Sequence, residues 1–126
     1  MGFELKAYLA ENYQVINEVA QHQWKSDEPE DLGGKNAGPT PIELLLSALA
    51  SCKMITMRMY AERKQWETGR IDIHLTIEQL AEKTVIHKEI TFAGALSDEQ
   101  RIRLLEISNR CPVAKMITHP IEFKLN

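Results

Sequence analysis

One stretch limits this chain more than any other, Gly38 to Lys64, which reads Gly-Pro-Thr-Pro-Ile-Glu-Leu-Leu-Leu-Ser-Ala-Leu-Ala-Ser-Cys-Lys-Met-Ile-Thr-Met-Arg-Met-Tyr-Ala-Glu-Arg-Lys. Thr40 sits where a helix N-cap belongs, Pro41 where a first helical residue belongs, and Glu43 completes a capping box with Thr40. No Pro or Gly follows until Gly69. The spacing predicts a helix of about 24 residues, roughly 36 Å long at ~1.5 Å per residue. From Ile42 to Ile55 nearly every position is apolar or small, so the expectation is a helix buried on most sides. Lys53 and Arg58 interrupt it, which excludes a bilayer span. A helix of this kind in 126 residues must be covered by the rest of the chain or by a partner.

The remaining sequence predicts strands before and after that helix. Phe3, Leu5, Ala7 and Leu9 alternate with Glu4, Lys6 and Tyr8, a half-buried strand. A second extended stretch is expected around Tyr13–Ile16, a turn at Asn17-Glu18, and a third strand from Val19 to Lys25. Residues 26–39 form an acidic loop rich in Gly and Pro. Its Gly34-Lys35 is not a phosphate loop, because Asn36 stands where Ser or Thr is needed. After Gly69, Ile71, Ile73, Leu75 and Ile77 alternate with Asp72, His74, Thr76 and Glu78, and a strand over Thr84–Ala93 follows a turn near Ala81-Glu82. Ser97-Asp98-Glu99-Gln100 is a second capping box opening a helix with Ile102, Leu105 and Ile107. Cys111-Pro112 starts a short helix that Pro120 ends, and Ile121, Phe123 and Leu125 predict a closing strand. The expectation is one α+β domain over residues 1–126, without repeats or a linker.

Composition narrows the function classes. A net charge of −3 and the lack of a basic stripe with interleaved aromatics argue against nucleic acid. Glu4, Lys6, Glu11 and Glu18 leave no apolar export signal near the start, so no membrane association and a reducing, cytoplasmic location are expected. In such a compartment two cysteines are more often redox-active, metal-binding or buried than a structural crosslink. His22, His74, His87 and His119 have no ligand spacing with each other or with the cysteines, so neither a metal nor a cofactor is expected. Cys111, at a helix N-cap, occupies a position that favours a thiolate. Cys52 is mid-helix and needs a cationic neighbour or polar contacts from another element. The bland readings stay open: Cys52 as a small buried hydrophobe, Cys111 as an unreactive cap.

Gly38-Pro-Thr-Pro-Ile-Glu-Leu-Leu-Leu-Ser-Ala-Leu-Ala-Ser-Cys52 followed by Asn109-Arg-Cys-Pro-Val-Ala-Lys115 resembles the OsmC/Ohr family of osmotically inducible and organic hydroperoxide resistance proteins. The resemblance covers essentially the whole chain, and its specificity lies in the two cysteine motifs together, about sixty residues apart. It implies the OsmC-like α+β fold in the order βββ-α-ββ-α-α-β, and an intertwined homodimer with two central long helices wrapped by the sheets. It further implies that Cys52 is peroxidatic, Cys111 resolving, the substrate an organic hydroperoxide, and the reductant a dithiol such as a lipoyl group. Leu45, Leu49 and Met54 would line the site for the alkyl tail. The sequence departs from the family's peroxidases in two places. They carry Glu ten residues before the reactive cysteine, where this chain has Ile42, and an activating Arg, of which none precedes Arg58. Glu43 is on the opposite helical face and is accounted for by capping; His22, Lys25, Lys35, Arg58 or Arg63 are the substitutes the sequence offers. The departures motivate an alternative: an OsmC-fold dimer that binds a small apolar ligand or a thiol partner without turnover.

Overall fold

The computed structural model describes residues 2–126. It is an α+β fold of two small antiparallel sheets and three helices. The chain divides into two compact units, Met1–Leu45 and Leu46–Asn126.

The first unit is built on a three-stranded meander, β1 (Lys6–Leu9), β2 (Val15–Val19) and β3 (His22–Ser26), in the order β1-β2-β3. Register runs Lys6↔Glu18 to Leu9↔Val15, then Val15↔Ser26 to Val19↔His22. The first strand is shorter than its alternation predicts, and Phe3 lies outside it, 98% exposed. The predicted turn at Asn17-Glu18 is overturned. Both residues are inside β2, and the reversal falls at Ala20 and Gln21, with Ala20 at φ 51°. Asn17 is buried and donates from Nδ2 to Ser26 Oγ at 2.7 Å, a bond that only the folded hairpin supplies. A turn residue and a hydrogen-bonded strand residue are the same letter in the sequence.

Asp27 organises the acidic loop that follows. Its carboxylate accepts from the backbone N–H groups of Glu28 (2.7 Å), Lys35 (3.2 Å) and Ala37 (3.0 Å), and the residue is 2% exposed. A short 3₁₀ turn over Glu30–Leu32 lies inside this loop. Gly34 is required there, since a Cβ would stand 1.9 Å from the Glu28 carbonyl oxygen. The Ala37 amide, ahead of those of Glu28 and Lys35, holds the Asp27 carboxyl below the usual carboxylate range, against the opposing effect of burial. A depressed carboxyl contributes stability that is present above its unfolded pKa and lost as pH falls through the folded value. Thermal melts of the protein should therefore fall off below about pH 4, and Asp27→Asn should be less stable at neutral pH with a flatter acid decline. Parallel acid limbs for the two proteins would refute this role for Asp27.

The capping box at the start of α1 (Pro41–Lys64) is present as predicted: Glu43 N–H donates to Thr40 Oγ1 at 3.2 Å, and Thr40 N–H to Glu43 Oε1 at 2.9 Å. The Thr40 amide holds the Glu43 carboxyl below its ordinary value.

In the second unit α1 buries Leu49, Lys53, Met57 and Ala61, a single line at i, i+4, i+8 and i+12. Within a single chain the helix is fully buried along this line alone. Ile55 is 53% and Met59 58% exposed, because one chain supplies neighbours along one face only. Met57 and Ala61 pack with Phe92 and Leu104 into the core, ringed by Met54, Tyr60, Trp66, Ile71, Ile90 and Leu96. Phe92 comes from a hairpin, β4 (Ile71–Gln79) with β5 (Thr84–Phe92), paired from Ile71↔Phe92 to Gln79↔Thr84. Leu104 comes from α2 (Asp98–Ser108), whose Ser97–Gln100 capping box is complete. Arg103 Nε donates to Tyr60 Oη at 3.0 Å, a second tie between α1 and α2.

The last helix, α3 (Pro112–Thr118), starts after Cys111 and ends at His119. The predicted closing strand does not form. Residues 121–126 have no strand partner among the described residues, and Phe123 and Leu125 are fully or almost fully exposed. Alternation marks which side chains share a face, but does not say whether a neighbouring strand pairs with the stretch.

Candidate active site

The site is assembled where α1 meets the junction of α2 and α3. Cys111 follows the end of α2 at Ser108, and the chain turns there through Asn109 and Arg110. Cys111 N-caps α3 and is completely buried. Its thiol makes no capping hydrogen bond to the helix amides. The polar group that meets it comes from α1: Lys53 Nζ lies 3.8 Å from Cys111 Sγ and donates to the Ser108 carbonyl at 3.1 Å. The positive group beside this cysteine is therefore a side chain from a remote element, where the sequence suggested the helix terminus.

Lys53 is 7% exposed. It sits one residue after Cys52, and the two side chains leave the helix about 100° apart, so Cys52 is half-buried on the neighbouring face. The arrangement brings Cys111 to the turn of α1 that carries Cys52. A second cation lies close by: Lys88, on β5, donates to Asn109 Oδ1. Desolvation first, then the charge of Lys53, holds the Lys88 ammonium below the usual lysine value, while Cys111 acts in the opposite direction.

Sequence reasoning passed over Lys53 and Lys88. Lys53 served only as a charge that breaks the apolar run. Its position was the signal, because it falls between Leu49 and Met57 at four-residue spacing, inside the helix's buried line. A lysine there needs a partner, and only the tertiary fold names it.

Residues 33–126 match the family model described as OsmC-like protein. The chain belongs to the OsmC-like protein family. No curated protein matches the sequence. Among solved structures, the OsmC-like chain is similar to a protein of Psychrobacter arcticus assigned to the osmotic stress and detoxification response, at 25% identity and TM-score 0.80, with 95% of this chain and 91% of the other covered. It is also similar to an OsmC-like protein from Mycoplasma pneumoniae at 22% identity and TM-score 0.74, covering 94% and 88% of the two chains. A third likeness is to an organic hydroperoxide resistance protein OsmC, a predicted redox protein, from Legionella pneumophila, at 19% identity and TM-score 0.65, covering 93% and 89%. The last two carry the fold alone.

The other residues singled out in this OsmC-like sequence are placed as follows. Arg58 is engaged elsewhere: its guanidinium donates to Thr68 Oγ1 at 3.0 Å and to the Gly69 carbonyl at 2.7 Å. Glu43 is held by Thr40 in the capping box. His22 is exposed at the first position of β3, and Lys25 and Lys35 are exposed in the first unit. Arg63 lies over the Tyr60 ring, 5.8 Å from its centroid. Leu49 is 2% exposed and Leu45 39%. Met54 lines a shallow groove of about 380 Å³ with Ile55, Arg58, Met59 and Ile71. Among the described residues no group of His, Cys, Asp and Glu could hold a metal ion, and no helix is long and apolar enough to cross a membrane.

Proposed function

We propose that this OsmC-like protein is a thiol-dependent peroxidase that reduces organic hydroperoxides through Cys52 and Cys111, acting as a single-domain homodimer in the cytoplasm. The observation that carries the reading is the meeting of the Lys53 ammonium with Cys111 Sγ, one residue from Cys52 on α1. Family membership supports the same chemistry.

In this cycle the Cys52 thiolate attacks the terminal peroxide oxygen. The O–O bond breaks, the alkoxide takes a proton and departs as the alcohol, and Cys52 is left as the sulfenic acid. Cys111 then attacks Cys52 Sγ. An S–S bond forms, the S–O bond breaks, and the oxygen leaves as water with the proton that Cys111 gave up. A dithiol, of which a lipoyl group is the example, returns both cysteines to thiols and becomes its own cyclic disulfide. The half-buried state of Cys52 leaves it reachable from outside, and the apolar groove beside Met54 suits an alkyl tail or a second copy of α1. Exposed Ile55 and Met59 favour a homodimer with α1 at the seam.

The reading is tested by mixing reduced protein with cumene hydroperoxide and following thiols and mass. Two thiols per chain should disappear together, with a loss of about two hydrogens on intact mass. If both cysteines stay reduced, peroxide turnover is wrong. The alternative, an OsmC-fold dimer that binds an apolar ligand or a thiol partner, then stands, in keeping with Ile42 in place of the family's Glu and with Arg58 bound to Thr68 and Gly69.

A further inference from the structure

Lys53 is a buried cation to which no chemical step of the proposed cycle assigns a role. A lysine that is 7% exposed has lost most of its hydration, a loss that an anion or a set of dipoles must make good. Its partners are one carbonyl, that of Ser108, and the sulfur of Cys111. No carboxylate forms an ion pair with it among the described residues. Lys88 adds a further positive charge to the same region. Among the groups in contact with Lys53, the sulfur of Cys111 is the one able to carry a negative charge.

We propose that Lys53 is the counter-ion of Cys111 and makes it the leaving group of the Cys52–Cys111 disulfide, so that reducing thiols open the bond at Cys52. This rests on the cysteine pair of the proposed function but not on peroxide as the oxidant. The incoming thiolate attacks Cys52 Sγ. A new S–S bond forms between reductant and Cys52, the Cys52–Cys111 bond breaks, and the electron pair stays on Cys111, where the Lys53 ammonium balances it. A second thiolate then releases Cys52 as a thiolate, which takes up a proton from water. Two thiols are oxidised to a disulfide and one disulfide is reduced. The geometry also explains why a fully buried cysteine can take part: as leaving group, Cys111 never has to meet the reductant.

The experiment uses full-length protein oxidised with diamide, which needs no peroxidase activity, and glutathione as the attacking thiol. Quenching with acid and mapping by peptide mass spectrometry should find glutathione on Cys52 and free thiol on Cys111. Lys53→Met should slow reduction about tenfold while attack stays at Cys52, and Lys53→Arg should restore the rate to within about threefold, because only charge is returned. A steric role for Lys53 would give the opposite order, since Met is the better fit for an apolar slot. Glutathione on Cys111, a Lys53→Met rate within twofold of the parent, or no disulfide with diamide each overturns the proposal. If the Met variant does not fold, the site of attack in the parent protein still decides. Disulfide formation with diamide but none with cumene hydroperoxide refutes the peroxidase and leaves this inference standing.

Discussion

Cys52→Ser should abolish the proposed hydroperoxide consumption, by on the order of 10³-fold or more, because the nucleophile assigned to O–O cleavage is gone and the other described thiol, Cys111, is buried. Cys111→Ser behaves differently. Its first turnover with cumene hydroperoxide should run within a few-fold of the parent, since in the proposed cycle bond breaking at oxygen needs only Cys52. The sulfenic acid then has no resolving partner. It should be trapped by dimedone at one adduct per chain, and with excess hydroperoxide it should proceed to the sulfinic acid and stop. Steady-state activity with a dithiol reductant should be lost in both variants, so single-turnover measurements and mass are what separate them. The reverse pattern, with Cys111→Ser silent in the first turnover and Cys52→Ser active, would exchange the two roles. Burial makes that outcome the harder one to realise: Cys111 is completely enclosed, while Cys52 is half-open.

The local parts of this architecture were legible in the sequence because their causes are local. Thr40 with Glu43 and Ser97 with Gln100 are three residues apart, and the bonds that start both helices are made within that span. The alternation from Ile71 to Ile77 fixed β4 for the same reason, and both cysteines were legible as a motif pair. What was not legible depends on residues distant in the chain. Asn17 reads as a turn former until Ser26, diagonally across on β3, accepts from its side chain. Ala20 and Gln21 carry no turn signature, yet the hairpin closes there. Ile121, Phe123 and Leu125 have the period of a strand but pair with no strand of this chain among the described residues. Lys53 is the most consequential case. Read along the sequence, it is a charge that rules out a membrane helix. Read in three dimensions, it is fifty-eight residues from its sulfur partner in sequence and in hydrogen-bond range in space. The substitutes that the sequence proposed for the family's missing Arg were judged by charge alone, and Arg58 shows the limit of that criterion, since its charge is already committed to Thr68 and Gly69.

Leu104→Ala should be the most damaging single truncation outside the cysteines, costing about 3–4 kcal/mol and lowering Tm by roughly 10–15 °C. Leu104 is fully buried against Met57, Ala61 and Phe92, so removing its isobutyl group opens a cavity walled by α1, α2 and β5, none of which can collapse without breaking the others' contacts. Against a total stability of about 5–15 kcal/mol, that is a large share. Ile102→Ala, on the same helix but 59% exposed, should change stability by no more than about 0.5 kcal/mol. The pair of melts tests which face of α2 is held by the core, and equal costs would contradict the packing described. The same truncation reaches the chemistry. Ser108, whose carbonyl accepts from Lys53, lies one turn beyond Leu104 on α2, so loosening that helix loosens the seat of the ammonium. Leu104→Ala should therefore slow glutathione reduction of the diamide-formed disulfide even at temperatures well below its melting point, and Ile102→Ala should not.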